Sequence, residues 1–271
     1  MKHDRVMILG SNGYLGKKFH EAYPEAITTN IDIMDQRELL SAIDVNSPNV
    51  IINAAGKTGR PNVDWCEDHK KETLRSNVTA PLMICDEALK RNIYFVHISS
   101  GCIYQNGEFG EDDEPNFKGS YYSKTKAFAD QLLADFPALV LRLRMPFDDS
   151  LGERTLIGKI LKYKRVIDVK NSLTYTPDFV ETAQKLIDRR KTGIYNVVNT
   201  GSISPFEIME MYKEHVDPNH EFEKLPLEEL GDYCNTGRSN CRLSTKKLAE
   251  EGLELPPIHT RLKEAMQKIA S

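Results

Sequence analysis

Tyr122 and Lys126 lie four residues apart in Tyr122-Ser-Lys-Thr-Lys126, so a helix would place both on one face, one turn from each other. A phenol with a pKa of about 10 is a poor proton donor or acceptor at neutral pH. A neighbouring ammonium favours the phenolate, and Lys126 is expected to bring the Tyr122 pKa down toward the working range. Ser100 follows the apolar run Tyr94–Ser99 and would hydrogen-bond a carbonyl oxygen held beside Tyr122. Together these residues describe the proton-donating half of a ketone reduction. The other half needs a hydride donor.

The amino-terminal segment offers a place for one. Gly10-Ser-Asn-Gly-Tyr-Leu-Gly16 comes directly after the first β-rich run and opens a helical pattern. Glycines in such a turn allow a tight reversal, close approach of backbone to a pyrophosphate, and close helix–sheet packing. The helix start then presents unpaired N–H groups and the positive dipole end to the phosphates. Gly10, Asn12, Gly13, Tyr14, Leu15 and Gly16 are therefore candidate cofactor residues. An acid ~20 residues downstream usually grips the NAD ribose. Here the second strand, Ala26–Thr29, runs to Asn30 without one, and Asp32-Ile33 reads as a segment flanking the adenine. With no carboxylate to repel a 2′-phosphate, and Lys17 or Lys18 to neutralise it, NADPH is favoured, with NADH as the alternative.

Short β-rich runs alternating with helical patterns must carry these residues, which is the signature of βαβ units around a parallel sheet. The strands are read at Arg5–Leu9, Ala26–Thr29, Val50–Asn53, Tyr94–Ser99 and Ala138–Arg142. The helices are read at Tyr14–Tyr23, Asp35–Ile43, Lys70–Lys90 and Tyr122–Asp135. Unbroken apolar runs such as Val6–Leu9 suit strands buried on both faces. The fold class is α/β, a Rossmann-type doubly wound parallel sheet with a small C-terminal substrate lobe. Residues 1–146 are assigned mainly to the NAD(P)-binding domain and 147–271 mainly to the lobe, with segments returning to the sheet. Past Pro146 the pattern loosens. A helix is read at Leu156–Tyr163, a strand at Gly193–Val198, a helix opened by Ser204-Pro205 and a closing helix near Thr260–Ala270. Asp217–Asn240 is acidic and rich in turn residues.

Composition excludes several classes. A chain of 271 residues with 36 Lys and Arg against 40 Asp and Glu has no basic excess to ask for nucleic acid or an anionic membrane. With a mean hydropathy of −0.47, it has no apolar run near the ~20 residues of a membrane span. Met1–Arg5 leads into an apolar run shorter than the ~7–15 residues of a secretory signal, so no leader is expected. Five cysteines, an odd number without a Cys-x-x-Cys pair or zinc-like His spacing, read as reduced thiols of a cytoplasmic protein with no metal.

With these motifs in hand, the chain resembles the extended short-chain dehydrogenase/reductases that act on nucleotide sugars. Within them it is similar to the nucleotide-rhamnose synthases of plants and giant viruses, the UDP-4-keto-6-deoxy-glucose 3,5-epimerase/4-reductases. More distant relatives are dTDP-4-dehydrorhamnose reductase and GDP-fucose synthase. The likeness rests on the GxxGxxG turn, Asn53-Ala-Ala-Gly56, TGRPNVDWCE at Thr58–Glu67, Gly101–Tyr104, Pro115–Phe117, Tyr122–Ala127, Arg142–Pro146, Gly193–Asn196 and Arg238-Ser-Asn240. It spans nearly the whole chain.

The resemblance implies two activities in one pocket, epimerisation at C3, C5 or both, then NADPH-dependent reduction at C4 of a UDP-4-keto-6-deoxy-hexose. The product would be UDP-L-rhamnose or its 2-acetamido counterpart. The Ser-x-Cys of GDP-fucose synthases corresponds to Ser100-Gly-Cys102, which makes Cys102 one epimerisation acid/base; Lys159 takes the place of the second. Ala54, Ala55 and Gly56 join the cofactor set, and Lys57, Cys102, Arg144, Arg238 and Asn240 the substrate set, with Arg238 on the diphosphate. A homodimer and an upstream 4,6-dehydratase are the implied partners. Two other readings stay open: a 4-ketoreductase served by a separate epimerase, and a non-catalytic NADP-binding regulatory subunit.

Overall fold

A computed structural model describes residues 5–271; residues 1–4, on which the leader reading partly rests, lie outside the described residues. Six parallel strands form the central sheet: β1 (Val6–Leu9), β2 (Ile27–Thr28), β3 (Val50–Asn53), β4 (Tyr94–Ser100), β5 (Leu139–Leu143) and β6 (Gly193–Asn196). Their order is β6-β5-β4-β3-β1-β2, so the winding reverses between β1 and β3. In such sheets the crevice beyond the carboxyl ends at the reversal point is where ligands bind. The parallel α/β fold expected above is what forms.

Two apolar layers cover the sheet. Ile8, Ile52, Val96, Ile98 and Leu141 face one core with Phe19 and Phe179, while Met7, Leu9, Ile51, Phe95 and Val140 face the other with Leu39, Ile84 and Leu133. Side chains of a strand alternate between faces, which explains the partition. A third core, including Phe147, Ile157, Leu173, Ile208, Leu262 and Met266, lies under the loops of the second half.

Most elements fall where the pattern puts them, within one to three residues at their ends. Asp35 turns out to cap the helix Gln36–Asn46, its carboxylate accepting from Arg37 N and Glu38 N. Ser204 closes a capping box with Glu207 on the helix Pro205–His215. The long pattern Lys70–Lys90 is interrupted by one π-helical turn at Arg75–Thr79, a feature that often marks functional sites. The helix Thr176–Asp188 is the main element the sequence reading missed. Its signal was present: Thr176-Pro177 opens it, and Phe179, Val180, Ala183, Leu186 and Ile187 recur at helical spacing on the buried face. The segment 217–240 holds a short strand, Glu223–Leu225, and a 3-10 turn, Leu227–Asp232. Among the described residues no helix is long and apolar enough to cross a membrane.

Candidate active site

The cleft at the carboxyl ends of β1 and β3 has a volume of about 770 Å³, lined by the glycine turn, Asn30–Met34, Ala54–Arg60 and Trp65. Gly10 has φ +77°, and a Cβ there would lie 2.7 Å from the Ala55 backbone, so glycine lets the turn and the end of β3 close together. At Gly16 a Cβ would meet Gly10 O at 2.1 Å, which keeps the helix Tyr14–Ala22 tight against the turn. That helix has no side-chain cap, so its first N–H groups are left for an anion. An extended groove of this size, with glycine backbone at its centre, fits a dinucleotide.

Asn12, Asp32, Ile33, Ala54, Ala55, Gly56 and Lys57 all line the cleft, as does the backbone of Gly13. The side chain of Tyr14 instead turns away toward Thr176, with 2.9 Å between their hydroxyls. Lys17 and Lys18 do not line the cleft; Lys18 pairs with Glu21 at 3.2 Å and Asp148 at 3.8 Å. The expectation that Lys18 neutralises a 2′-phosphate is therefore corrected, while Lys17 stands exposed outside the cleft lining. Asn12 Nδ2 and Asn30 Oδ1 stand 2.5 Å apart at that end, so neutral amides replace both the acid and the expected cations.

Around the end of β4 the reducing residues converge. Ser100 lies near enough to Tyr122 to bear on its phenol, and Cys102 N donates to Ser100 Oγ at 3.1 Å. Tyr122 lies on the helix Tyr121–Leu133, started by Ser120, which accepts from Ser123 N. Burial raises the phenol pKa well above its ordinary value, the Cys102 charge raises it further and Ser100 opposes both. Here the structure departs from the expected lowering by Lys126. The Lys126 ammonium donates to Ile98 O at 3.1 Å, and burial brings its own pKa down to about 8 against the opposing pull of Asp130. The buried phenol keeps its proton, the state required of a donor to a developing alkoxide.

Asp130, four residues beyond Lys126, had no assigned part. Its carboxylate receives Arg142 Nε at 2.7 Å with both side chains buried, and the Ser99 hydroxyl also donates to it. The polar stripe Tyr122, Lys126, Asp130 on a buried helix face was the available signal. Replacing Asp130 with Ala should lower unfolding free energy by ~3–5 kcal/mol, because it leaves the Arg142 guanidinium buried and unpaired. Urea denaturation checks this, and a loss below ~1 kcal/mol would reject it. Asn77, in the π-helical turn, was also missed. It holds Lys57 through both backbone groups, at 2.8 and 2.9 Å, and reaches Thr125 Oγ1 at 3.3 Å.

Cys102 is half-buried, and Arg144 Nη1 lies 3.5 Å from its sulfur. Cys102 also exerts a weak electrostatic influence on Lys159, with no direct contact between the two side chains among the described hydrogen bonds and ion pairs. Lys159 sits at the solvent side on the short helix Leu156–Ile160. Although the residue is exposed, partial desolvation of its ammonium, then the Arg154 charge, lower its pKa below the ordinary lysine value, while Cys102 opposes.

Two substrate assignments are corrected. Arg144 is 1% exposed, and its guanidinium donates to Gly101 O, Asn171 Oδ1, Ser239 Oγ and Ser239 O. It ties the segment 239–241 to the Cys102 turn, with both terminal nitrogens committed to protein acceptors and only the buried Nε left without a partner. Asn240 likewise uses its amide inward, accepting from Asn171 Nδ2 at 3.2 Å. Arg238 is half-buried and pairs with Asp64 at 2.7 Å.

This combination, a dinucleotide-type cleft whose Gly56 lies close to the ammonium of a Ser/Tyr/Lys set, defines an NAD(P)-type α/β reductase framework. The chain belongs to the RmlD substrate-binding domain family, whose model matches residues 4–271. It is 37% identical to an Arabidopsis thaliana bifunctional dTDP-4-dehydrorhamnose 3,5-epimerase/dTDP-4-dehydrorhamnose reductase, over 94% of this chain and 90% of that protein. It is 35% identical to an A. thaliana trifunctional UDP-glucose 4,6-dehydratase/UDP-4-keto-6-deoxy-D-glucose 3,5-epimerase/UDP-4-keto-L-rhamnose-reductase; the match covers 95% of this chain but only 41% of that longer protein. The crystal structure of a UDP-rhamnose synthase from Acanthamoeba polyphaga mimivirus superposes with a TM-score of 0.93 at 28% identity, covering 98% and 99% of the two chains. A Bacillus anthracis dTDP-4-dehydrorhamnose reductase in complex with NADP shares the fold, with a TM-score of 0.83 at 21% identity over 98% of each chain.

Proposed function

We propose that this protein is an NADPH-dependent 4-ketoreductase of rhamnose synthesis that also epimerises its substrate, a UDP-4-keto-6-deoxy-hexose, before reducing it. The observation that carries the dual reading is the neighbourhood of Cys102. A half-buried thiol just past β4 bears electrostatically on both a proton-holding phenol and Lys159, a lysine of lowered pKa, which supports a proton relay among the three. Kinship to epimerase/reductases at 35–37% identity supports it.

A ketone at C4 acidifies the hydrogens on C3 and C5. Cys102 and Lys159 act as the base–acid pair: one takes a proton, the substrate enolate forms, and the other returns a proton to the opposite face. The bound NADPH supplies hydride to C4. Ser100 hydrogen-bonds the carbonyl oxygen, Tyr122 gives its proton to the alkoxide, and Lys126 holds positive charge beneath them. Arg238 grips the diphosphate with a guanidinium fork. Ala54, Ala55 and Gly56 form the floor of the cofactor cleft, with Gly56 close to the Lys126 ammonium.

The decisive experiment incubates the protein with UDP-4-keto-6-deoxy-glucose and NADPH in deuterium oxide, without other proteins, and reads the product by NMR. Deuterium at C3 or C5 of a reduced L-sugar is the expected result. A reduced sugar without deuterium leaves a plain reductase, and no NADPH consumption rejects the enzyme.

A pH profile follows from Lys126, whose folded pKa of about 8 lies below the ordinary lysine value of 10.5. Its ammonium is lost as pH rises through about 8, so kcat/KM for reduction should fall there. The folded chain then binds fewer protons than the unfolded one between about 8 and 10.5, so the same group makes stability rise with pH in that window. A rate that stays flat to pH 10 would remove Lys126 from the proton-transfer step.

A further inference from the structure

Asp64 and Glu67 sit on one short turn, at the start and within the helix Trp65–Asp68, and each grips a different part of the site. Glu67 Oε1 accepts from Tyr121 N at 2.5 Å, at the first residue of the helix that carries Tyr122 and Lys126. Asp64 reaches the opposite way. Its carboxylate receives Arg238 Nη1 at 2.7 Å, Arg238 Nη2 at 3.1 Å, Thr236 Oγ1 at 2.7 Å and Asn235 N at 3.3 Å. Four donors from one arm of chain thus converge on a single carboxylate, and the Arg238 hydrogen bonds keep its pKa down at about 2. The same turn contributes Trp65 to the wall of the cofactor cleft.

How Arg238 is held decides what it can still do. Nη1 has two hydrogens, directed to Asp64 and to Thr236, where the carbonyl lies at 3.0 Å and the hydroxyl at 2.6 Å. Nη2 gives one hydrogen to Asp64. Among the described residues Nε and the second Nη2 hydrogen have no protein partner. Those two donors form the side edge of the guanidinium, a fork matched to two oxygens of a carboxylate or phosphate. An arginine anchored by its end has already lost the rotamer freedom that binding an anion would otherwise cost.

We propose that Asp64 is a positioning residue for nucleotide-diphosphate recognition, holding Arg238 and the arm 235–238 so that the free side edge of the guanidinium meets the incoming diphosphate. The inference rests on the assignment of Arg238 to the diphosphate. Asp64 touches no reacting atom and acts through Arg238.

The test is calorimetric titration of the full chain with UDP. Asp64→Asn should weaken UDP binding about tenfold, the scale of one charge-assisted hydrogen bond, and Arg238→Ala at least as much. The double variant should bind no more weakly than Arg238→Ala alone, because both changes remove one device. Asp64→Asn should leave NADPH affinity within about twofold, which separates positioning from general loosening. If Asp64→Asn also unfolds the cleft, Thr236→Val, which removes one of the four donors, should weaken UDP about threefold. UDP bound as tightly or more tightly by Asp64→Asn, while Arg238→Ala binds it weakly, overturns the positioning role alone. Additive losses in the double variant overturn it too. Unchanged UDP binding by Arg238→Ala takes down the diphosphate assignment and this inference with it.

Discussion

Replacing Tyr122 with Phe is expected to lower kcat for ketone reduction by ~10²–10⁴-fold, the usual contribution of a placed general acid. The phenol is raised in pKa by burial and lies near Ser100, so it arrives protonated. Phe fills the same volume, and the fold should lose no more than ~1 kcal/mol, the net worth of one hydrogen bond. Deuterium from solvent should still enter C3 or C5 of the substrate, because that exchange needs the thiol and the lysine rather than the phenol. Stopped-flow NADPH oxidation and NMR of recovered substrate read the two steps separately. Normal reduction by this variant would reassign the proton donor.

Cys102→Ser should produce the mirror result. Proton exchange at C3 or C5 should fall by at least ~10²-fold, since a serine hydroxyl is far less acidic than a thiol and the substituted group no longer shuttles protons near neutral pH. Reduction of a ketone supplied in the already epimerised configuration should persist within a fewfold. Arg144 Nη1 lies 3.5 Å from the sulfur and also binds Gly101 O and Ser239, so the turn retains its anchor when the sulfur is replaced. Loss of both activities with the fold intact would refute the division of labour. Retention of exchange would leave Lys159 with a different partner.

What the sequence discloses about this site is the local part. The glycine turn and the Tyr122–Lys126 pair are each contained within one loop or one helical turn, and Ser100 ends a strand. Their spacing therefore already implies their placement. Long-range electrostatics were not legible. Lys126 as a lowering influence on Tyr122 was a sound expectation from adjacency, but the ammonium points to the Ile98 carbonyl and burial dominates the phenol. Arg144 and Asn240 looked available for substrate; Asn171, more than twenty residues from either, engages both. Lys18 is drawn off by Asp148, far along the chain. The helix Thr176–Asp188 was readable from its Thr-Pro start and the helical spacing of its apolar residues. Asp64 lay inside a recognisable string, yet its partners at 235–238 come from the opposite end of the sequence.

The order of strands has a consequence for how the chain is made. β6 pairs with β5 through Gly193–Asn196, so the outer edge of the sheet is supplied some fifty residues after β5 has been synthesised. At ribosomal speeds of ~5–20 residues per second, the backbone edge of Leu139–Leu143 waits for seconds without its neighbour. An exposed parallel edge of apolar residues is a template for pairing with other chains. A nascent polypeptide halted before Asn196 should therefore be a chaperone client and prone to aggregate, whereas release beyond that point seals the sheet.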